Sequence, residues 1–189
     1  IRNCLVGSEM CIRDSLSASI NRMYLQLSSL VRDIVSVLEG DDIDLLSDAE
    51  ERESEVDALL YLVERQVCVA LDSHLVATSL KIGRNQAVEH SNLAQSLERM
   101  MDHALQMAVL TRLTHKAKMT SSEPPINQIT MWQKAIKQLM INIRTRDSHE
   151  IEDARMSLKQ AQNEISEYEE TLLENRKLSE EELFFFRIS

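Results

Sequence analysis

Two pairs of acidic residues in this 189-residue sequence have a spacing that could bind a metal ion. Glu53 precedes Asp57 by four residues, and Glu98 precedes Asp102 by four. In an α-helix this spacing places both carboxylates on one face, one turn apart, where they can share a cation. Five acidic pairs with this spacing occur among the 31 acids, which is about the number expected by chance, so spacing alone does not identify a site.

The surroundings of these two pairs distinguish them from the other three. Glu53 lies within the apolar stripe of its predicted helix, between Ala49 and Val56. Glu98 and Asp102 continue an apolar line formed by Leu105, Val109 and Leu113. An unpaired carboxylate beside a buried seam is costly. Three solutions are open: an ion pair with a base such as Arg52 or Arg99, protonation, or a hard cation.

Motifs for enzymatic catalysis are missing from the sequence. No Glu-x-x-His motif occurs, which argues against a ferritin-like di-iron site, and no glycine-rich phosphate loop occurs, which argues against ATP hydrolysis. His103, next to Asp102, could also be a metal ligand, but adjacent residues point about 100° apart on a helix, so it is the weaker candidate. We expect Cys68, which lies between two valines, to lie in the core. The sequence therefore predicts no catalytic residue, no organic cofactor and no enzymatic activity.

The composition predicts an all-α fold. The chain has 3 Gly and 2 Pro, whereas average usage would give about 13 and 9. Sandwiches and barrels need frequent turns, and nucleotide-binding α/β folds need glycine at their first strand-to-helix turn, so both are excluded. The net charge of −10 argues against nucleic-acid binding, and no apolar stretch approaches the roughly 20 residues of a membrane span. We therefore expect a cytoplasmic protein.

Helical periodicity divides the chain into four segments. Residues 1–15 lack a helical period, resemble translated sequencing-adapter read-through, and are predicted to be non-native or disordered. The last six residues, which contain all three phenylalanines, suggest a foreign end as well. Residues 16–119 are predicted to form three helices, and residues 120–125, with two prolines, a linker. Residues 126–189 are predicted to form a second, incomplete unit.

An internal repeat supports two tandem units. A shift of 105 positions aligns the apolar residues of the first two helices with those after the linker, including Val31 with Ile136, Ala49 with Ala154 and Val56 with Ala161. The third helix begins near Asn85, so its repeat would begin near residue 190. We therefore predict two tandem three-helix bundles of a spectrin-like kind, with the last helix of the second bundle missing.

The third predicted helix carries a family signature. Residues 93–108, LAQSLERMMDHALQMA, resemble the Leu-Glu-Arg-x-x-Asp-His-Ala signature of the PhoU family of phosphate-uptake regulators. Residues 51–67, ERESEVDALLYLVERQV, are similar to the second helix of archaeal-type PhoU proteins, and the likeness extends over about residues 16–173. Archaeal-type relatives often carry a small β-rich DNA-binding domain before the bundle. The resemblance allows such a domain to precede this segment in the full-length protein.

The resemblance implies metal ligands. PhoU bundles can each hold a multinuclear cluster through E-x-x-x-D carboxylates, which here correspond to Glu98 with Asp102 and, less closely, Glu53 with Asp57. The implied metals are divalent or trivalent ions, iron first and then zinc, manganese or nickel. At the 105-residue offset Leu158 replaces Glu53 and Gln162 replaces Asp57, so a cluster is expected in the first repeat alone.

The resemblance also implies a regulatory function. PhoU proteins act through the ATPase subunit of a phosphate ABC transporter and through a membrane sensor kinase. We therefore expect a metal-binding helical adaptor that modulates phosphate uptake by protein contact; a homodimer is also possible. The alternative is a structural helical module for oligomerisation, without a role for metal or phosphate.

Overall fold

Helices account for all the regular secondary structure of the described residues. The computed structural model describes residues 3–79, 83–114, 119–120, 122, 124–145 and 147–174, with side chains from residue 16 onward except at 74, 76, 79, 114, 143, 144 and 172–174. The helices are α1 (Asn3–Glu39), α2 (Ala49–Asp72), α3 (His74–Ser79), α4 (Arg84–Thr114), α5 (Ile126–Thr145) and α6 (Ser148–Glu174), with one 3-10 turn at Ile43–Leu46. The prediction of an all-α fold is confirmed.

Helix α1 buries the apolar seam that its sequence predicts. Met23, Leu27, Leu30 and Ile34 are all fully buried at steps of four, three and four. The helix ends at Gly40, whose φ of 116° lies in the left-handed region. The Asp41 amide donates to the Ser36 carbonyl at 3.0 Å, which is the closing bond of a Schellman turn. The described backbone is already helical at Asn3, ahead of the predicted start near residue 16.

Helix α2 begins with acidic residues and buries one apolar stripe. Glu50 and Glu51 lie in its first turn, where the positive end of the helix dipole favours acids. The buried positions are Ala49, Val56, Val63, Val67 and Ala70. The helix stops at Asp72 because Ser73 is extended, with φ of −115° and ψ of 112°, and the chain then forms the short helix α3.

Compact packing divides the chain into two units. The first comprises Ile1–Val31 and Leu46–Gln106, and the second comprises Arg32–Leu45 and Met107–Ser189. In the first unit, Ala94, Leu97, Met101 and Ala104 form the buried stripe of α4, each at most 2% exposed. Polar contacts join α1 to α2 at its rim: the Gln26 amide donates to Glu55 at 2.5 Å, and the Arg52 guanidinium donates to the Ser29 hydroxyl at 3.5 Å.

Helices α5 and α6 form an antiparallel hairpin in the second unit. The Asp147 carboxylate accepts hydrogen bonds from the backbone amides of His149 and Glu150, and so caps the start of α6. Three pairs related by the 105-residue offset are buried at both positions, namely Val31 and Ile136, Ala49 and Ala154, and Val56 and Ala161. At Leu27 and Trp132, by contrast, the first residue alone is buried. Helix α5 begins directly after the two prolines of the predicted linker. Residues 175–189 lie outside the described residues.

Candidate metal centre

The first unit brings all four predicted carboxylates to facing sides of two helices. Glu53 and Asp57 lie on α2, and Glu98 and Asp102 lie on α4. The Gln95 amide on α4 donates to the Glu64 carboxylate on α2 at 3.1 Å, so the two helices are adjacent along this line. All four carboxylates are half-buried, since each flanks the core stripe of its helix. The two i, i+4 pairs therefore come from neighbouring helices and form one acidic cluster.

Glu53 experiences the charges of the other three acids. Its pKa is raised above the ordinary value, first because burial disfavours the charged form and then because Asp57, Asp102 and Glu98 repel it. Two of these three neighbours are on the opposite helix. In the folded chain, carboxylates of α2 and α4 therefore repel one another. The spacing of acids within one helix cannot predict this repulsion.

The electrostatic surroundings of Glu98 are similar to those of Glu53. Burial is the largest cause of its raised pKa, followed by repulsion from Asp102 and Asp57, while the exposed Arg99 acts in the opposite direction. The attraction of Arg99 is therefore weaker than the opposing effects. Arg52 forms an ion pair with Asp48 at 3.0 Å. None of the four predicted carboxylates forms an ion pair or accepts a hydrogen bond within the described part of the chain.

A fifth acid, Glu64, belongs to this cluster and is missed by the search for four-residue spacing. Its charge contributes to the raised pKa of Glu98. Glu64 lies seven residues after Asp57, two turns further along the same helix face. The heptad spacing of Asp57 and Glu64 is the sequence signal that places the two acids on one helix face.

The carboxylates of the cluster are suitable ligands for a hard cation. In the described side-chain conformations, however, they do not surround one. Carboxylate oxygens are the preferred ligands of hard cations such as manganese and magnesium. Among the residues that the structure describes, no three side chains of His, Cys, Asp or Glu are arranged closely enough to hold a metal ion. A metal would require Glu98, Asp102 and at least one acid of α2 to change side-chain conformation toward it.

Two other residues differ in exposure from what was expected. His103 is exposed, whereas the PhoU signature implies a residue that packs or forms hydrogen bonds. The prediction that Cys68 lies in the core is wrong, because the thiol is exposed. The buried positions are Val67 and Ala70, which places Cys68 on the outer side of α2.

The second hairpin has no matching acidic pair. Leu158 and Gln162 occupy the positions that correspond to Glu53 and Asp57, and Gln162 is exposed. Instead, the Gln128 amide of α5 donates to Glu164 at 2.7 Å and Gln160 donates to the same carboxylate at 2.9 Å. These bonds lower the pKa of Glu164, the bond from Gln128 most strongly.

Comparison with known proteins gives one family match. The family model described as PhoU domain matches residues 20–111, just under half of the chain, and this range contains all four predicted ligands. No curated protein and no solved structure matches the chain. Within the described residues, no helix is both long enough and apolar enough to cross a membrane.

Proposed function

We propose, from the match of residues 20–111 to the PhoU domain family model, that this chain regulates phosphate uptake as a metal-binding helical adaptor. The family assignment supports a regulatory role in phosphate transport. The observation that carries the finer proposal is the acidic cluster, in which Glu53, Asp57, Glu98 and Asp102 repel one another without an ion pair from the described residues. A cation bound there would neutralise the repulsion and hold α2 against α4.

The proposed mechanism is protein contact without chemistry by this chain. Holding α2 and α4 at a fixed separation would give the bundle one defined surface for docking. By family resemblance, the proposed partners are the ATPase subunit of a phosphate ABC transporter and a membrane sensor kinase. The proposed location is the cytoplasm, where both partners present their regulatory surfaces.

Metal analysis of the purified protein tests the cation site. We expect wild type, after exposure to iron, manganese or zinc and removal of loosely held ions, to retain metal that the Glu98→Ala/Asp102→Ala variant loses. The Glu167→Ala/Glu170→Ala variant is the matched control, because it also removes two acids, both of them exposed and on α6. Equal metal content in all three proteins would rule out the cation site.

A phosphate-uptake assay tests the regulatory role separately. We expect the chain to lower phosphate uptake in a host that lacks its own PhoU regulator but retains the transporter. The Glu98→Ala/Asp102→Ala variant is expected to lower uptake less. If the chain leaves uptake unchanged while it folds and binds metal, the regulatory role fails although the metal site stands. If it binds no metal and leaves uptake unchanged, the structural module is the better interpretation.

A further inference from the structure

One face of α5, in the second unit, is basic and partly apolar. Lys134 and Lys137 are exposed, and Ile141, one turn further along, is 57% exposed. The three residues are spaced by three and four, so they lie on one side of the helix over a length of about 10 Å. The opposite side carries the buried residues Ala135 and Ile136. We call Lys134, Lys137 and Ile141 the basic face of α5.

The lysines of the basic face lie apart from the acids of the neighbouring helix. The sequence of α5 contains three basic residues and no acidic one, whereas that of α6 contains eight acids. Helix α5 reaches the acids of α6 through amides instead, since Gln138 donates to Glu150 at 2.7 Å and Gln128 donates to Glu164 at 2.7 Å. Neither lysine forms an ion pair within the described residues. Both charges are therefore available to another molecule.

Charge and width determine which kind of partner fits the basic face. Two cations beside an exposed isoleucine favour a partner that is both anionic and apolar on one side. The whole chain has a net charge of −10, and α6 places acids on the next helix, so a membrane or a nucleic acid would meet repulsion around this face. A single helix is about 10 Å wide with its side chains, so it can contact α5 alone.

We propose that the basic face of α5 binds an acidic amphipathic helix of a partner protein. Carboxylates three or four residues apart on that helix would face Lys134 and Lys137, and an apolar residue on the same side would cover Ile141. One helix face buries less area than a standard protein interface, so the binding is weak, and its charge pairs make it sensitive to salt. The inference rests neither on the cation site of the first unit nor on the role in phosphate uptake.

A synthetic acidic helix tests the proposal. The probe is a peptide of about 20 residues, long enough to form a helix, with glutamate and leucine on one side and alanine elsewhere. We expect fluorescence anisotropy of the labelled probe to show binding that weakens as salt is added. The Lys134→Glu/Lys137→Glu variant should raise the dissociation constant about tenfold, because two attractions become repulsions. Ile141→Ser should weaken binding without changing its salt dependence.

Two controls separate the basic face from general charge attraction. The Arg155→Glu/Lys159→Glu variant makes the same change in net charge at two exposed bases of α6, and we expect it to change the dissociation constant by less than about twofold. A probe with glutamine in place of glutamate should bind wild type about tenfold more weakly than the acidic probe. Equal losses in the two double variants, or equal binding of the two probes, would overturn the proposal.

Vesicles and DNA test the broader anionic partners. We expect neither vesicles of phosphatidylserine and phosphatidylcholine nor a DNA duplex to bind wild type at the salt concentration at which the acidic probe binds. If either one binds there and the Lys134→Glu/Lys137→Glu variant loses that binding, the basic face recognises a membrane or a nucleic acid, and the proposal of a helical protein partner is wrong.

Discussion

Replacing Glu98 by glutamine is expected to stabilise the metal-free protein at neutral pH. Three like charges, those of Asp102, Asp57 and Glu64, raise the pKa of Glu98, and one opposite charge, that of Arg99, lowers it. One attraction cancels one repulsion and leaves two, each worth about 0.2–0.5 kcal/mol at a helix surface, so the free energy of unfolding should rise by about 0.4–1 kcal/mol. The variant also removes the cost of burying a charge, which raises the free energy of unfolding further.

The pH dependence of this difference has a defined sign. A pKa that is higher in the folded state than in the unfolded chain means that the folded state holds the proton more tightly. The contribution of Glu98 to stability is therefore fully present below the ordinary carboxyl pKa and is lost as the pH rises through the folded-state value. Wild type and Glu98→Gln should be equally stable in acid and should diverge toward neutral pH, with the variant more stable.

Urea unfolding with and without a chelator measures the effect of the Glu98 charge and the effect of a bound metal ion. Glu167→Gln is the matched control, because Glu167 is exposed on α6, and we expect its stability to change by less than about 0.5 kcal/mol. With manganese added at about 100 times its dissociation constant, wild type should gain about 2.7 kcal/mol, and Glu98→Gln should gain less. Destabilisation by Glu98→Gln in chelator at neutral pH would refute the reasoning, because it would show that Glu98 is held by an attractive partner such as Arg99.

Three further changes test other parts of the structure. Leu27→Ala, at a fully buried position, should lower the free energy of unfolding by about 2–5 kcal/mol in urea unfolding, because it leaves a cavity in the first unit. Gly40→Ala should destabilise by about 1 kcal/mol in thermal unfolding, since a side chain is strained at a φ of 116°, and an unchanged midpoint would contradict the described turn. Gln128→Ala removes the main hydrogen bond to Glu164 and should raise the pKa of that carboxyl, as measured by NMR titration; Gln160→Ala should raise it less.

The helices could be predicted from the sequence because local signals agree with the packing. The apolar steps in α1 match its buried residues, Gly40 marks its end, and two prolines precede α5. The break after Asp72 has no such signal, since neither glycine nor proline occurs between Val69 and Ser79. The extended conformation of Ser73 is set by how the chain packs, and no residue there forbids a helix.

The candidate site could be predicted only in part. The two acidic pairs follow from their spacing. The predicted line of Leu105, Val109 and Leu113 beside Glu98 and Asp102 is not a buried seam, because Val109 and Leu113 are exposed. The sequence also does not reveal that the two pairs face one another across α2 and α4. Glu64 was missed because it belongs to the cluster through the opposite helix. Cys68 was placed wrongly because apolar residues occupy both sides of α2, so the run Val67 to Ala70 does not indicate which side is buried.

The difference between the two hairpins bears on how the chain would respond to a changing cation supply. Leu158 and Gln162 leave the described part of the second hairpin without the carboxylates that its counterpart carries. If the proposed site of the first unit takes a single cation and the described part of the second hairpin takes none, there is no second site for it to cooperate with, so the titration curve would be hyperbolic. Occupancy would then rise gradually over a tenfold increase in cation concentration, so the response of the chain to the cation would be graded and would show no threshold.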